Sequence, residues 1–347
     1  ELFLERAFGL LRAHGTSGMI VPSGVYTDQG CTGLRQLFTS QAQISYLLCF
    51  ENRREVFPIH RSFKFVLFGF RKQLAEGTLD AAFMLHDLDV LADPEEYTVR
   101  IPEQVIGRFS PGTLSIMESR SQRDLAAVTQ IYDSGPILGE VIDNFWTPVL
   151  KSEEFNMTHA RGLFNENRTG WPLYEGKMIH QFTHQYASPG YWVDTAEGQA
   201  ELAGREIKHV EEALDGLLPS QPKGTTRKQR IATLLKTSGR GPLTAYDVKT
   251  ATEAPRLVFR SIARNTDERT MIATILPQNV FTGNSLNYLH PWQFDAQKAV
   301  NMLDNIKDCY APSLSTPLLA YLCGVLNSFI LDYVLRFKVS ANVNIFY

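Results

Sequence analysis

The residues best suited to chemistry lie around an aromatic–proline turn, Phe57-Pro58, which is followed by a basic patch and by an aromatic-rich apolar run at residues 63–70. The apolar run has no helical spacing and is bounded by polar segments, which predicts a strand buried on both faces of a sheet. A flat side chain at the mouth of such a sheet can stack on a base that has been extruded from DNA. Phe57 is therefore the candidate for a stacking role.

Three side chains that can carry charge follow this turn, namely His60, Arg61 and Lys64. His60 could act as a general base. All three could instead contact phosphates or the edge of a base pocket. Two plainer interpretations stay open: Phe57 is a core aromatic before a proline, and the basic residues form a solvated turn.

The overall composition is that of a folded globular protein, with 347 residues, 44% of them hydrophobic, and a net charge of -3. This length allows two domains. The total charge does not indicate a nucleic-acid partner, but the charges are unevenly distributed. Residues 74–104 contain eight acidic and one basic side chain, whereas residues 223–269 contain eleven basic and four acidic ones. Such asymmetry allows strong local fields despite a total near zero.

The four cysteines are scattered, with no CxxC pair and no histidine set at metal-ligand spacing. Cys49 and Cys323 lie in apolar runs and are predicted to be core thiols. This pattern is typical of a reducing cytoplasm and predicts neither a metal site nor disulfides. The most apolar window, residues 317–331, contains polar side chains and is shorter than the roughly 20 residues of a spanning helix, so no membrane segment is predicted.

The order of elements in the N-terminal part predicts an α/β fold. Helical spacing at residues 3–12 is followed by a strand at 18–24, a helix at 32–38, a strand at 44–50 and the strand at 63–70. This order, with its closing hairpin, fits the C-terminal half of a Rossmann-like sheet. Residues 74–136 are acidic and mixed in character, and we interpret them as a connecting region.

The remainder, residues 137–347, predicts a second domain of mixed α+β structure. Strands are predicted at residues 178–182, 191–193, 256–262 and 271–276, and helices at 201–218 and 318–337. Asn327 and Ser328 lie on the last of these helices and must find partners there, because unpaired buried polar groups are costly. We expect them to stabilise the domain rather than to touch a ligand.

Taken in order, several segments resemble one family, the large bacterial N6-adenine DNA methyltransferases of restriction-modification and phage-defence systems. These include TaqI-like enzymes, fused type II enzymes, and BREX- and DISARM-type methylases. IVPSG at residues 20–24, FENR at 50–53 and VFP at 56–58 resemble the family's base-binding part. WPLYEGKMIH at 171–180, RLVFRSIARNTDERTMI at 256–272 and LNSFILDYVLR at 326–336 resemble its target-recognition domain.

The resemblance implies a class I methyltransferase domain that ends within residues 1–73 and a DNA target-recognition domain at residues 137–347. It implies that Phe57 stacks on a flipped adenine, with His60 as a helper. Basic residues would contact double-stranded DNA, since arginine suits phosphates and can also read guanine. These residues are Arg61, Lys64, Lys177, His180, Arg260, Arg264 and Arg269. Alternatively, Asp267 and Glu268 could pair with the arginines in a folded-state network.

The family's Gly-rich cofactor loop and its (Asn/Asp)-Pro-Pro-(Tyr/Phe) tetrapeptide have no counterpart in this sequence. S-adenosyl-L-methionine (SAM) would therefore be bound mainly by sequence upstream of this chain, and the chain is expected to be a fragment of a longer polypeptide. Expected partners are DNA, that upstream part and other defence-system subunits. Two alternatives stay open: a non-catalytic DNA-binding specificity module, and an enzyme with a fused nuclease, for which no paired acids with a lysine occur on a short hairpin.

Overall fold

The computed structural model describes residues 2–74, 77–140, 148–219, 225–339 and 343. Within it the chain divides into two compact units, the first ending at Ile137 and the second beginning at Leu138.

The first unit is built on a mixed sheet whose described strands lie in the order β1-β3-β2-β4-β5. Its strands are β1 (Thr16–Pro22), β2 (Gln43–Glu51), β3 (Lys64–Arg71), β4 (Thr78–Leu85) and β5 (Val99–Pro102). Its helices are α1 (Leu2–Leu10), α2 (Gly24–Thr27), α3 (Thr32–Gln41), α4 (Glu103–Phe109) and α5 (Gln122–Asp133). β3 is antiparallel to both β1 and β2, and β2 is parallel to β4.

The uninterrupted apolar run that predicts a doubly buried strand is the strand β3. β3 lies between β1 and β2, and most of its side chains are buried on one face or the other. Because β1 and β2 are both antiparallel to β3, they run in the same direction, and the connection through α2 and α3 is the helical crossover that such a pair requires. The predicted closing hairpin is formed by β2 and β3.

The expected α/β class of this unit is confirmed, while the Rossmann-like assignment stays a prediction. The described sheet contains one directly bonded parallel pair, β2 and β4. Residues 74–136, expected to be a connecting region, instead supply β4, β5, α4 and α5 to the first unit. The strand β4 was not predicted because the segment as a whole is acidic. Much of that acidic character lies in the short 3₁₀ turns after β4, Leu88–Ala92 and Pro94–Tyr97, whereas β4 itself is largely buried.

The second unit combines small sheets with helices. Its strands are β6 (Leu150–Lys151), β7 (Phe164–Asn165), β8 (Trp171–Tyr174), β9 (Tyr191–Val193), β10 (Arg256–Arg260), β11 (Ala273–Leu276), β12 (Phe281–Thr282), β13 (Leu286–Leu289), β14 (Trp292–Phe294) and β15 (Tyr310–Pro312). Its helices are α6 (Thr195–Asp215), α7 (Arg227–Thr237), α8 (Ala296–Asn301), α9 (Thr316–Leu326) and α10 (Phe329–Arg336). The described strands pair in the orders β11-β10-β13-β6, β12-β8-β9-β7 and β14-β15.

Two sequence-based expectations about this unit were wrong. Residues 178–182 form no strand but a tight turn after the 3₁₀ turn Gly176–Met178. The single helix predicted at residues 318–337 is instead divided into two helices, α9 and α10, which are separated at Asn327-Ser328. Asn327 donates to and accepts from the backbone of Ala273, and Ser328 caps α10 through the Leu331 N–H, so both serve the fold as expected.

A fully buried ion pair ties the start of this unit to its sheets. Glu154 and Arg256 both have side chains with 0% exposure, and Glu154 Oε1 lies 2.9 Å from Arg256 Nη2. The Thr282 N–H donates to Glu154 Oε2 at 2.7 Å, and Arg256 Nη2 donates to the Val280 carbonyl at 2.9 Å. Burial raises the pKa of the Glu154 carboxyl, and the guanidinium opposes that shift.

All four cysteines lie within the described residues; they are buried and form no disulfide. Cys49 and Cys323 are core thiols, as expected. Among the described helices none is by itself long and apolar enough to cross a membrane; α9 and α10 reach that length and composition only together, bent by 56°.

Candidate functional site

A buried asparagine fixes the turn that carries Phe57. Asn52 follows β2 and has no exposed surface. Its Nδ2 donates to the carbonyls of Phe57 and Ile59, both at 2.9 Å, and its Oδ1 accepts the Phe57 N–H at 3.0 Å. One side chain thus replaces the backbone partners that a loop lacks, and it sets the path of residues 52–59.

The Phe57 ring is half-buried at the edge of a hydrophobic cluster. It packs edge-on against Phe65 with ring centroids 4.9 Å apart, and Phe65 in turn stacks on Phe50. The ring therefore combines a core contact with an accessible part. The two interpretations of Phe57, as core aromatic and as stacking surface, are compatible in this geometry.

The titratable residues of the turn face solvent. His60 is exposed, and its Nδ1 lies 2.7 Å from the Ser62 hydroxyl. Arg61 forms an exposed ion pair with Glu55 at 2.9 Å, which lowers the pKa of Glu55 and raises that of Arg61. Exposed pairs of this kind contribute little to stability, so Arg61 could exchange Glu55 for a phosphate at small cost.

Lys64 lies in a different environment from the rest of the basic patch. Its Nζ contacts Glu118 Oε2 at 2.6 Å, and the two side chains are 9% and 7% exposed. Tyr26 donates its hydroxyl to the same carboxylate at 2.7 Å and lies 3.1 Å from Cys49 Sγ. This buried ion pair corrects the expectation for Lys64, because its ammonium group cannot reach a phosphate without abandoning Glu118.

Burial and the Glu118 charge raise the pKa of the Cys49 thiol to about 12 and hold the pKa of Tyr26 well above its usual value. Both groups stay protonated at neutral pH. The polar cluster beneath the turn is therefore structural rather than nucleophilic.

Two arginines in the second unit that were expected to bind DNA hold the fold together. Arg260 is half-buried, and its Nη2 donates to the Ile179 carbonyl at 2.6 Å. Arg269 is 16% exposed; its guanidinium lies 3.8 Å from the centre of the Phe329 ring and 3.9 Å from an Asp332 oxygen. Both guanidinium groups are partly buried and take part in contacts within the unit, which argues against a primary role in phosphate binding.

The other basic candidates are better placed for an external partner. Arg264 is exposed, and among the described residues no ion pair holds its guanidinium. Lys177 has 65% of its side chain exposed and pairs with Glu175 at 2.9 Å. His180 is half-buried beside the Tyr186 ring, with centroids 4.9 Å apart.

The alternative network through Asp267 and Glu268 takes another form. The Asp267 carboxylate accepts the backbone N–H of Arg264, whereas Arg336 donates to the backbone carbonyls of both acidic residues. The carboxylate that pairs with arginines is Asp332, which also accepts the N–H groups of Thr270 and Met271.

Sequence reasoning missed three residues that the structure brings forward. Asn52 was noticed only as part of a motif, and the exposed rings of Phe182 and Tyr186 were not considered. The exposed fractions of these two rings are 66% and 62%. In the described part of the chain, no group of three or more His, Cys, Asp or Glu side chains is arranged to hold a metal ion.

No protein-family model matches the sequence, and a search of curated proteins gave no match. The fold is similar to several solved restriction-modification enzymes. One is the Type IIL enzyme MmeI in complex with DNA, at 10% identity over 83% of this chain and a TM-score of 0.40. Another is a nuclease-deletion mutant of the Type ISP enzyme LlaGI with a DNA substrate mimic, at 12% identity over 98% of this chain and a TM-score of 0.40.

A third is the type IIG restriction endonuclease BpuSI, at 11% identity over 94% of this chain and a TM-score of 0.29. The chain spans 35% of MmeI, 29% of LlaGI and 44% of BpuSI.

Proposed function

We propose that this chain is the C-terminal part of a SAM-dependent N6-adenine DNA methyltransferase of a bacterial restriction-modification or phage-defence system. In this proposal the first unit supplies one wall of the pocket for a flipped adenine, and the second unit binds and reads the DNA. The observation that carries the proposal is the Phe57 turn, where the Asn52 amide holds the backbone of Phe57 and Ile59 and so places an aromatic side chain shortly after β2.

An extruded base must be held in one orientation while its amine reacts. Stacking on an aromatic ring stabilises a base by about 1–3 kcal/mol, against an unpairing cost of a few kcal/mol. Phe57 therefore offsets part of the cost of extrusion, and contacts between DNA and the second unit must supply the remainder. A fixed turn reduces the entropy lost when the base docks.

The motifs by which this family binds its cofactor are absent from the sequence of this chain. The sequence lacks the Gly-rich loop and the catalytic tetrapeptide, so none of its residues is proposed to bind SAM. The chain's own contribution is to hold the adenine ring, with Arg61 and His60 at the rim of the pocket and Arg264, Lys177 and His180 at the DNA surface.

The test is methyl transfer from labelled SAM to unmethylated DNA by the complete protein that contains this chain. Phe57→Ala is expected to lower turnover about tenfold or more, whereas Phe57→Trp, which keeps a stacking surface, retains most of it. Phe63→Ala is the matched control, because Phe63 is 60% exposed and lies on the same loop, beyond the residues that the Asn52 side-chain amide holds.

Full turnover by Phe57→Ala, in protein shown to be folded, would remove Phe57 from the base pocket. A wild-type protein that binds DNA in a salt-dependent manner but transfers no methyl group would instead support the non-catalytic specificity module.

A further inference from the structure

The second unit presents a phenylalanine on a strained tight turn. His180 and Thr183 close the turn through two backbone hydrogen bonds, from the His180 N–H to the Thr183 carbonyl at 2.9 Å and from the Thr183 N–H to the His180 carbonyl at 3.1 Å. Phe182 occupies the third position with a φ of 64°. This left-handed conformation is normally left to glycine or asparagine, because a bulky side chain there meets its own backbone.

Three further contacts hold the turn against this strain. The Phe182 N–H donates to the Ala273 carbonyl at 3.1 Å, and Gln181 Nε2 donates to the Asn327 carbonyl at 3.3 Å. Arg260 fixes the preceding residue through the Ile179 carbonyl. The turn is thus anchored to β11, to the end of α9 and to β10, so the direction of the ring is set by the fold.

The described residues leave most of the anchored ring uncovered, with 66% of its surface exposed. Beside the turn, Tyr186 is 62% exposed and lies against His180. Lys177 supplies exposed positive charge shortly before the turn, and Arg264 adds an exposed guanidinium in the connection between β10 and β11. Exposed flat rings combined with exposed cations match the stacked bases and the phosphates of DNA better than they match a second apolar protein surface.

We propose that Phe182 is a wedge that inserts at a base step of duplex DNA and unstacks it, with Tyr186 and His180 against the adjoining backbone. This inference rests on the proposed DNA-binding function and deepens it. Apolar side chains inserted in this way kink DNA and make recognition depend on how easily a step deforms. A backbone strain kept at an exposed position is consistent with such a role, because a ring that is 66% exposed contributes little packing in return.

The experiment uses the complete protein and a duplex selected from a randomised library by the wild-type protein. The fluorescent base 2-aminopurine is placed at successive steps of that duplex to report unstacking. We expect wild type to raise the fluorescence at one step. Phe182→Gly should abolish that rise and weaken binding to the selected duplex about tenfold, with an unchanged salt slope.

A stability measurement on Phe182→Gly and two further variants separate function from folding. Phe182→Gly should leave the unfolding temperature equal to or above that of wild type, because glycine adopts a positive φ without strain. Phe182→Leu should keep part of the fluorescence rise, since leucine can also act as a wedge. Tyr246→Ala is the control for loss of an exposed ring, because Tyr246 is 89% exposed and lies outside these segments.

Wild-type affinity and fluorescence in Phe182→Gly would overturn the wedge while leaving DNA binding intact. The same would hold if Phe182→Gly lost only self-association or binding to another protein. A wild-type protein that selects no duplex and binds no DNA would overturn the proposed function and the wedge together.

Discussion

At the scale of single residues, the decisive contacts are made by buried or half-buried polar side chains that bind other parts of the fold. Asn52, Lys64 and Arg260 stand in segments that suggest contact with DNA, yet each is used mainly to position the backbone or to neutralise a buried charge. Arg264 and Lys177, with exposed side chains, are the better candidates for phosphate contacts.

Replacing Asn52 by Ala should destabilise the first unit by about 2–4 kcal/mol. The change removes three hydrogen bonds and leaves the partly buried Phe57 N–H without its acceptor. Chemical denaturation measures the free energy of unfolding, and Arg53→Ala, at an exposed neighbouring position, serves as the control. A stability equal to wild type in Asn52→Ala would mean that the turn does not depend on this side chain.

Lys64 and Arg264 should respond in opposite ways when each is replaced by Ala. Lys64→Ala leaves Glu118 buried without its cation, which should cost about 3–5 kcal/mol of stability and leave the salt dependence of DNA binding unchanged. Arg264→Ala should preserve stability and reduce the slope of log K against log salt by about 0.9, the value for one phosphate contact. Equal slopes in wild type and Arg264→Ala would place this arginine outside the interface.

At the scale of elements, a buried histidine in the connection between β13 and β14 is expected to make the stability of this connection depend on pH. His290 hydrogen bonds through Nδ1 to the Trp292 backbone, and its Nε2 lies 3.9 Å from a Glu206 carboxylate oxygen. Burial lowers the pKa of His290 and outweighs Glu206, which favours the charged form. Protonation of this ring therefore opposes the packing of the β13–β14 connection against α6.

The sign of the pH effect follows from this depressed pKa. Below about pH 6.5, the ordinary histidine value, the unfolded chain binds the proton more readily than the folded one, so stability is full above that pH and declines as the pH falls. The slope from one such group is at most about 1.4 kcal/mol per pH unit. The plot of unfolding temperature against pH should be flatter for His290→Asn than for wild type, and unchanged for His159→Asn, an exposed control. Identical curves for wild type and His290→Asn would refute the assignment.

The sequence predicted elements well where the pattern was local and poorly where the partner was distant. β3 was predictable because a continuous apolar run suits a strand with neighbours on both sides. The burial of Lys64 was not, because Glu118 lies 54 positions away, and the Ile179 carbonyl that engages Arg260 lies 81 positions away. From sequence alone a charged residue is predicted to be exposed, because the partner that buries it is identified only in the folded structure.

The turn at residues 180–183 illustrates the same limit. A strand was predicted at residues 178–182, yet the turn forms because Ala273 and Asn327 offer carbonyl acceptors from later parts of the chain. Tertiary contacts override local propensity in such cases.

At the scale of the whole molecule, each of the two units has its own buried core and its own buried ion pair. We therefore expect calorimetry to resolve two unfolding transitions rather than one. Lys64→Ala should lower the temperature of one transition and Glu154→Ala that of the other, because each leaves a buried charge without its partner. A single transition that both variants shift alike would show that the units unfold as one.

The distribution of the four thiols allows the local unfolding of each unit to be measured separately. Cys31 and Cys49 are buried in the first unit, and Cys309 and Cys323 in the second. Because the native packing shields all four, alkylation of each pair reports the moments at which its own unit exposes its interior. Mass spectrometry after a pulse of alkylating reagent can thus rank the two units by how often they open, without any engineered cysteine or probe.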